Sequence, residues 1–247
     1  MIAFDSISKT YAKEIGAPAH TALVELSFLM KKGEILGLIG ANGAGKSTAI
    51  KLIMDFIRPD AGTIKILGQT PAQHAIRRKI GYLPETANFP ANLTVLDMLR
   101  FTGSTCNMEQ QYFRAASEKW LRRLGLWDAR KKALRNYSKG MQQRANFAIA
   151  LLTDPELLIL DEPMSGLDPI GRADILELIV ELKSQGRSIL FCSHILEDVD
   201  RLVDNVLVLH QGRTLFVGPP RSLAEQQDCP TMVEGYLSLV KQVTKND

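Results

Sequence analysis

Cysteine is scarce in this sequence, long apolar runs are missing, and charge of either sign is almost balanced; each shortage closes off a class of protein. The three cysteines, Cys106, Cys192 and Cys229, are odd in number and lack metal-ligand spacing, which argues against a disulfide framework. Stretches free of charged side chains reach only eleven residues, as at Ile35–Gly45, well short of the roughly 20 apolar residues that span a bilayer. Thirty lysines and arginines stand against 27 aspartates and glutamates, a net charge of +3. That balance gives no bulk attraction to nucleic acid, and no nucleic-acid partner is expected. The opening residues MIAFDSISKTY carry Asp5 and no apolar core, so no secretory signal is expected there. His20, His74 and His210 stand apart from cysteine or carboxylate ligand partners, and a dedicated metal site on them is not expected. There is no internal repeat or low-complexity tract. A cytosolic chain is expected, one that meets a membrane only through a partner.

What is present is an ordinary globular composition, 45% hydrophobic and 23% charged over 247 residues, enough for one large domain or one with an inserted subdomain. IAFDSIS and TALVELSFLM alternate apolar and polar residues as strands do. GEILGLIG is nearly continuous in its apolar residues, which suits a strand buried on both faces of a parallel sheet. STAIKLIMDFI has helical apolar spacing and is expected to end near Pro59. From about residue 86 to 153 the signals are helical. Thr94 and Asp97 have capping-box spacing, with Leu93 and Met98 placed as a staple. EQQYFRAASEKWLRRL puts Phe113, Ala116, Trp120 and Leu124 on one face before a stop at Gly125. A third helix follows Ser138 and ends before Asp154-Pro155. Strands return at 157–160, 188–193, 205–210 and 213–217, with the amphipathic helix GRADILELIVELKSQ between the first two. This alternation predicts an α/β fold with a mostly parallel sheet and a helical insertion at about 86–153. Beyond about Pro220 the tail reads as helical.

Three segments carry chemistry. GANGAGKST, Gly40 to Thr48, matches G-x-x-x-x-G-K-[ST] between a strand and a helix. A triphosphate must be held without bulky side chains in the way; glycines turn backbone N–H groups inward, and the helix that follows offers its positive end. Lys46 is placed to reach the β- and γ-phosphates and the Ser47 hydroxyl to ligate Mg²⁺. LLILDEP delivers Asp161 and Glu162 at the carboxyl end of a buried strand, where open α/β sheets bind ligands. Asp161 is a candidate Mg²⁺ ligand, and Glu162 a candidate general base for the attacking water. NYSKGMQQR places Ser138 as the N-cap of a helix whose positive end can sense a γ-phosphate. By contrast, Thr244-Lys245-Asn246-Asp247 matches a guanine-specificity pattern but follows no strand at the chain's end, and is not expected to bind nucleotide. Arg77-Arg78-Lys79 and Arg130-Lys131-Lys132 read as solvated faces.

With these motifs in this order, residues 1 to 220 resemble the nucleotide-binding subunit of an ABC transporter, with 221–247 as a helical tail. The resemblance implies a P-loop NTPase (RecA-like) core, an N-terminal antiparallel β subdomain and the inserted helical subdomain. Tyr11 resembles the aromatic residue that stacks on adenine. Gly40–Thr48 is similar to Walker A, and Gly40, Asn42, Gly43, Ala44, Gly45, Lys46, Ser47 and Thr48 are implied ATP contacts. Asp161–Glu162 resembles the end of Walker B. Ser138 to Arg144 stands at the signature loop, Ser165-Gly166-Leu167-Asp168 at the D-loop, and His194 at the switch histidine that meets the γ-phosphate. The resemblance further implies ATP and Mg²⁺ as ligands, a head-to-tail pair of ATPase subunits (identical or not) and an integral membrane permease as partner. In that pair Ser138, Gly140 and Asp168 reach the ATP held by the other chain. The expected location is the cytoplasmic face of the membrane, as a peripheral subunit.

Three positions depart from the usual pattern. Glu85, in GYLPE, stands where the Q-loop normally has glutamine; its carboxylate can still approach Mg²⁺ but adds negative charge to a site crowded with phosphate oxygens. Lys139 and Met141 make the signature S-K-G-M instead of S-G-G-Q, and Tyr137 replaces the usual leading leucine. The combination is similar to the export-type branch of the family. A soluble ABC-type ATPase acting on ribosomes or DNA is the main alternative. It fits less well, because there is one cassette and Ser138 follows Ser47 by only 91 positions (138 minus 47). A small-molecule kinase would share Walker A but would not need the signature, D-loop and switch histidine together.

Overall fold

The computed structural model describes residues 1–12, 19–86 and 88–244; Lys245, Asn246 and Asp247 of the terminal pattern lie outside them. The chain divides into two compact units, Met1–Ile76 with Ser188–Asp247, and Arg77–Arg187.

In the first unit, β1 (Ile2–Tyr11) and β2 (His20–Met30) pair antiparallel with Tyr11 opposite His20. The period-two alternation of β2 is explicit at its end, where Leu26, Phe28 and Met30 are buried and Ser27 and Leu29 exposed. β3 (Ile35–Ile39) is buried at all five positions, the behaviour of a strand covered on both faces. The loop Gly40–Gly45 leads into α1 (Lys46–Ile53). This helix stops before Pro59 because Asp55 adopts a left-handed φ of 56°, letting Phe56 N–H reach Lys51 O at 2.9 Å and Asp55 N–H reach Leu52 O at 3.2 Å. That is a Schellman ending built on aspartate in the usual glycine position. β4 (Ala61–Ile66) then adds to β1 antiparallel, with Ile2 opposite Ile66. A single turn, α2 (His74–Arg77), follows.

In the second unit, β5 (Ile80–Leu83) pairs parallel with β6 (Leu157–Asp161). Between them come α3 (Val95–Thr105), α4 (Gln110–Arg123), a 3-10 turn at Leu134–Asn136, and α5 (Lys139–Leu151). The Thr94/Asp97 capping box opens α3 as expected. Two guanidinium groups lie over the Trp127 ring, Arg122 at 4.4 Å and Arg130 at 3.9 Å from its centre. Tyr137 is buried and its hydroxyl donates to Ala129 O at 2.9 Å, so the change from leucine adds a hydrogen bond as well as altering packing. After β6, Asp168 caps α6 (Pro169–Ser184) by accepting from Gly171 N–H at 3.0 Å. The compact unit extends beyond the expected 86–153 insertion on both sides.

The first unit resumes with β7 (Ser188–Cys192), α7 (Leu196–Leu202), β8 (Asn205–His210) and β9 (Arg213–Gly218). β3 pairs parallel with both β7 and β8, and β9 closes on β8 antiparallel. The tail is α8 (Pro220–Gln226) and α9 (Met232–Thr244). The fold is α/β, parallel among β3, β7 and β8 and between β5 and β6, with an antiparallel sheet of β1, β2 and β4. Among the described residues no helix is long and apolar enough to cross a membrane.

Candidate active site

The residues expected to handle nucleotide fall into two sets, one in each unit. In the first unit, the loop after β3 turns back on itself through Ala44 N–H to Ala41 O at 3.1 Å. Gly45 caps α1 at φ 108°, and a Cβ there would stand 2.7 Å from Ala22 O and from Leu23 Cδ2. Both the conformation and the close strand exclude a side chain, so the second glycine of the motif is enforced by packing. The first turn of α1 holds no acidic residue and no side-chain cap, leaving its N–H groups open to an anion. Lys46 Nζ donates to Gly40 O at 2.7 Å and Ala41 O at 3.1 Å. The ammonium thus lies along its own loop.

A cavity of about 180 Å³ is lined by Asn42, Gly43, Gly45, Lys46, Ser47 and Thr48 together with Tyr11, His20 and Ala22. Tyr11, at the end of β1, sets its hydroxyl 3.4 Å from Thr48 Oγ1. The β1–β2 pairing therefore brings an aromatic ring to the phosphate loop across 37 residues of sequence. Ala44 is buried outside this lining, its N–H and C=O spent on Ala41 and Gly212. The register Leu38 opposite Cys192 makes the exit of β7 the neighbour of the exit of β3, so exposed His194 leaves its strand beside the one that leads to Gly40.

The second unit gathers Glu85, the signature loop and the D-loop. Leu83 is opposite Leu160, so Pro84–Glu85 and Asp161–Glu162 leave adjacent strand ends. Asp161 is 8% exposed. Glu162 is held at φ 49°, a left-handed conformation costing a non-glycine residue on the order of 1 kcal/mol or more. Ser138 Oγ accepts from Met141 N–H at 3.2 Å and caps α5 as expected. A second cavity, about 220 Å³, is lined by Glu85, Thr86, Lys139, Gln142, Gln143, Ser165 and Gly166. Gly166 has φ 74°, and a Cβ on it would stand 3.2 Å from Lys139 Cβ, which places the D-loop against the signature loop near Gly140. Glu85 and Lys139, two departures from the usual pattern and opposite in charge, thus share one cavity wall.

The expected metal donors are oxygens: the exposed Ser47 hydroxyl in the first unit, and Asp161 and Glu85 carboxylates in the second. Among the described residues no cluster of three or more His, Cys, Asp or Glu is assembled to hold an ion. Hydroxyl and carboxylate oxygens are the donor chemistry Mg²⁺ accepts, one or two from protein, with waters and substrate phosphates for the rest.

The family model for ABC transporters matches residues 23–165, through the phosphate loop, signature and Walker B segments. The chain belongs to the ABC transporter family. It carries the ABC ATPase domain. An ABC transporter ATP-binding protein of Synechocystis sp. is 42% identical over 212 residues, 83% of this chain and 57% of that protein; one of Nostoc sp. is 41% identical over 82% of this chain and 61% of its own length. The chain therefore spans about three fifths of those two relatives. The Nod factor export ATP-binding protein I of Burkholderia orbicola is 34% identical, covering 95% of this chain and 76% of that protein. Among solved structures, an ATP-binding subunit of an ABC transporter superposes with a TM-score of 0.88 at 31% identity, covering 97% of this cassette and 99% of that chain.

From sequence, no site role falls to His20, Ala22, Thr86 or Asn146, and Gln143 is named only within the signature segment Ser138 to Arg144. His20 and Ala22 enter the first cavity only because β2 is paired to β1. Gln143 and Asn146, both 4% exposed, carry buried amides on α5. Their signal was a polar pair three residues apart inside a helix that is otherwise apolar around Ala145, Phe147 and Ala148.

Proposed function

We propose that this cassette is the ATP-binding subunit of an ABC transporter, binding and hydrolysing ATP to drive export through a separate membrane permease. The observation that carries this reading is the cavity in which the phosphate loop, the open N-terminus of α1 and the Tyr11 ring converge. Triphosphate lies along the loop, with Lys46 neutralising its terminal oxygens, and Tyr11 stacks on the base. Ser47, Asp161 and Glu85 would each offer an oxygen to Mg²⁺, which would supply positive charge to the phosphates. Glu162 takes the proton of the attacking water, and His194 contacts the γ-phosphate. Ser138 and Gly140 of the partner subunit complete the electrostatic cradle in a head-to-tail pair, with Asp168 in the D-loop between copies. Catalysis in this scheme is positioning and charge stabilisation. Export is supported by the Glu85, Lys139 and Met141 pattern and by likeness to the Nod factor export protein. In this reading the subunit is peripheral, at the cytoplasmic face of the membrane, beside its permease.

The test is ATP turnover by the chain and by Glu162→Gln. The variant is expected to lose at least about 100-fold in kcat while still binding ATP. Unchanged turnover in the variant removes Glu162 from the role of base; no turnover by the wild-type chain, alone or with its permease, removes the function.

A further inference from the structure

We propose that Gln143 and Asn146 are positioning residues through which α5 holds two loops at once, the one bearing Glu162 and the one bearing Glu85. The catalytic part of this inference rests on the ATPase reading above; the positional part does not. Gln143 Nε2 donates to Pro163 O at 2.9 Å and to Glu162 O at 3.4 Å. Asn146 Nδ2 donates to Pro84 O at 3.2 Å. Spaced three apart on one helix, the two amides share a face.

The acceptors explain why amides stand there. β5 and β6 both exit through a proline, Pro84 after Leu83 and Pro163 after Glu162. Proline has no N–H, so the regular ladder cannot continue through either residue. Carbonyls at these exits, if buried, need a donor from elsewhere. The helix supplies one to each exit from side chains that are themselves 4% exposed. A buried amide costs free energy unless bonded, and an apolar side chain would fill the same space. The hydrogen bonds to the loop ends are therefore what these two residues add.

Glu162 O is further engaged by Ser165 N–H at 3.0 Å. The left-handed turn at Glu162 (φ 49°) is thus pinned from the D-loop side and from α5. The N-cap of the same helix is Ser138. Ser138, Gln143 and Asn146 belong to one continuous helix and its cap, so a displacement at the signature turn is expected to reach both exits together. Gln143 lines the second cavity with Glu85, but neither amide is among the residues lining the phosphate-loop cavity, so the expected effect falls on kcat and spares KM.

The test uses Gln143→Met and Asn146→Leu, which keep volume and remove the donor, with Leu151→Ala as a control. Leu151 is buried at the last position of α5, five residues beyond Asn146, and its side chain has no donor, so its truncation is expected to destabilise the helix without removing either exit's hydrogen bond. Hydrogen exchange in the nucleotide-free chain is expected to quicken at least about fivefold at Met164–Leu167 in Gln143→Met, and at Glu85–Thr86 in Asn146→Leu, but not in the control. ATP turnover in Gln143→Met is expected to fall at least about tenfold with KM within about twofold, and Leu151→Ala to keep kcat within about twofold below its unfolding temperature. Exchange unchanged at both exits overturns the proposal, as does a kcat loss in Leu151→Ala equal to that in Gln143→Met. An inactive wild-type chain whose exchange still responds as described refutes the ATPase reading and supports the coupling.

Discussion

Replacing Tyr11 by alanine removes one wall of the phosphate-loop cavity, and the structure separates what the ring does from what its hydroxyl does. The hydroxyl lies 3.4 Å from Thr48 Oγ1, well beyond the roughly 2.7–2.8 Å of a good O–H···O bond. It is worth no more than about 0.5 kcal/mol, or about twofold in affinity. The ring is a different matter. Stacking of a base on an aromatic face is worth about 1–3 kcal/mol, which converts to roughly 5- to 140-fold in Kd. Tyr11→Phe should therefore bind MgATP within about twofold of wild type, and Tyr11→Ala should weaken it at least about fivefold. Inorganic triphosphate has no base to stack, so its magnesium complex should bind the three proteins alike. Calorimetric titration of each protein with both ligands measures all six affinities. Equal losses in Tyr11→Phe and Tyr11→Ala would refute the stacking argument, as would a matching loss for triphosphate in Tyr11→Ala.

Three further expectations concern the second unit. The Asp97 carboxyl is held below its ordinary range, first by the Thr94 hydroxyl, then by the Thr94 backbone N–H, with Arg100 contributing. Because the folded value is depressed, the contribution of the box is complete above the ordinary aspartate value near 4 and is lost as pH falls through the lower folded value. Asp97→Asn should thus flatten the acid limb of the denaturation-midpoint profile, and Thr94→Ala should cost about 1 kcal/mol at neutral pH; an unchanged acid limb would contradict the first. Tyr137→Phe removes the 2.9 Å bond to Ala129 O from a buried site and should cost about 1 kcal/mol in chemical denaturation. A neutral substitution would show that the ring alone matters there.

Residues 40 to 48 and 157 to 163 were legible because their meaning is local: glycine spacing and a strand-end acidic pair dictate their geometry wherever the chain goes afterwards. β3 and β6 were legible for the same reason, being apolar throughout. β4 and β5 carried no such signal. Ala61–Ile66 has only two buried positions and Ile80–Leu83 only four residues, so each exists through pairing with a distant strand. The end of α1 was misplaced because its stop is an aspartate in a left-handed conformation, where glycine or proline is the readable sign. His20 became part of a cavity through the β1–β2 register, which no local pattern reports. Asn146, and the buried task of Gln143 within the signature segment, were missed because polar side chains on a helix are by default solvent-facing, and only the proline exits of two other segments give them a buried task.

The central claim is that the loop amides and the Lys46 ammonium grip a magnesium-bound triphosphate. Equilibrium titration of the folded chain with labelled ATP and Mg²⁺, beside Lys46→Ala, measures it directly. One charge-assisted contact is worth about 1.5–3 kcal/mol, so saturable binding is predicted for the wild type and binding at least about tenfold weaker for the variant. No saturable binding by the wild type, or equal affinity in the two proteins, would contradict it.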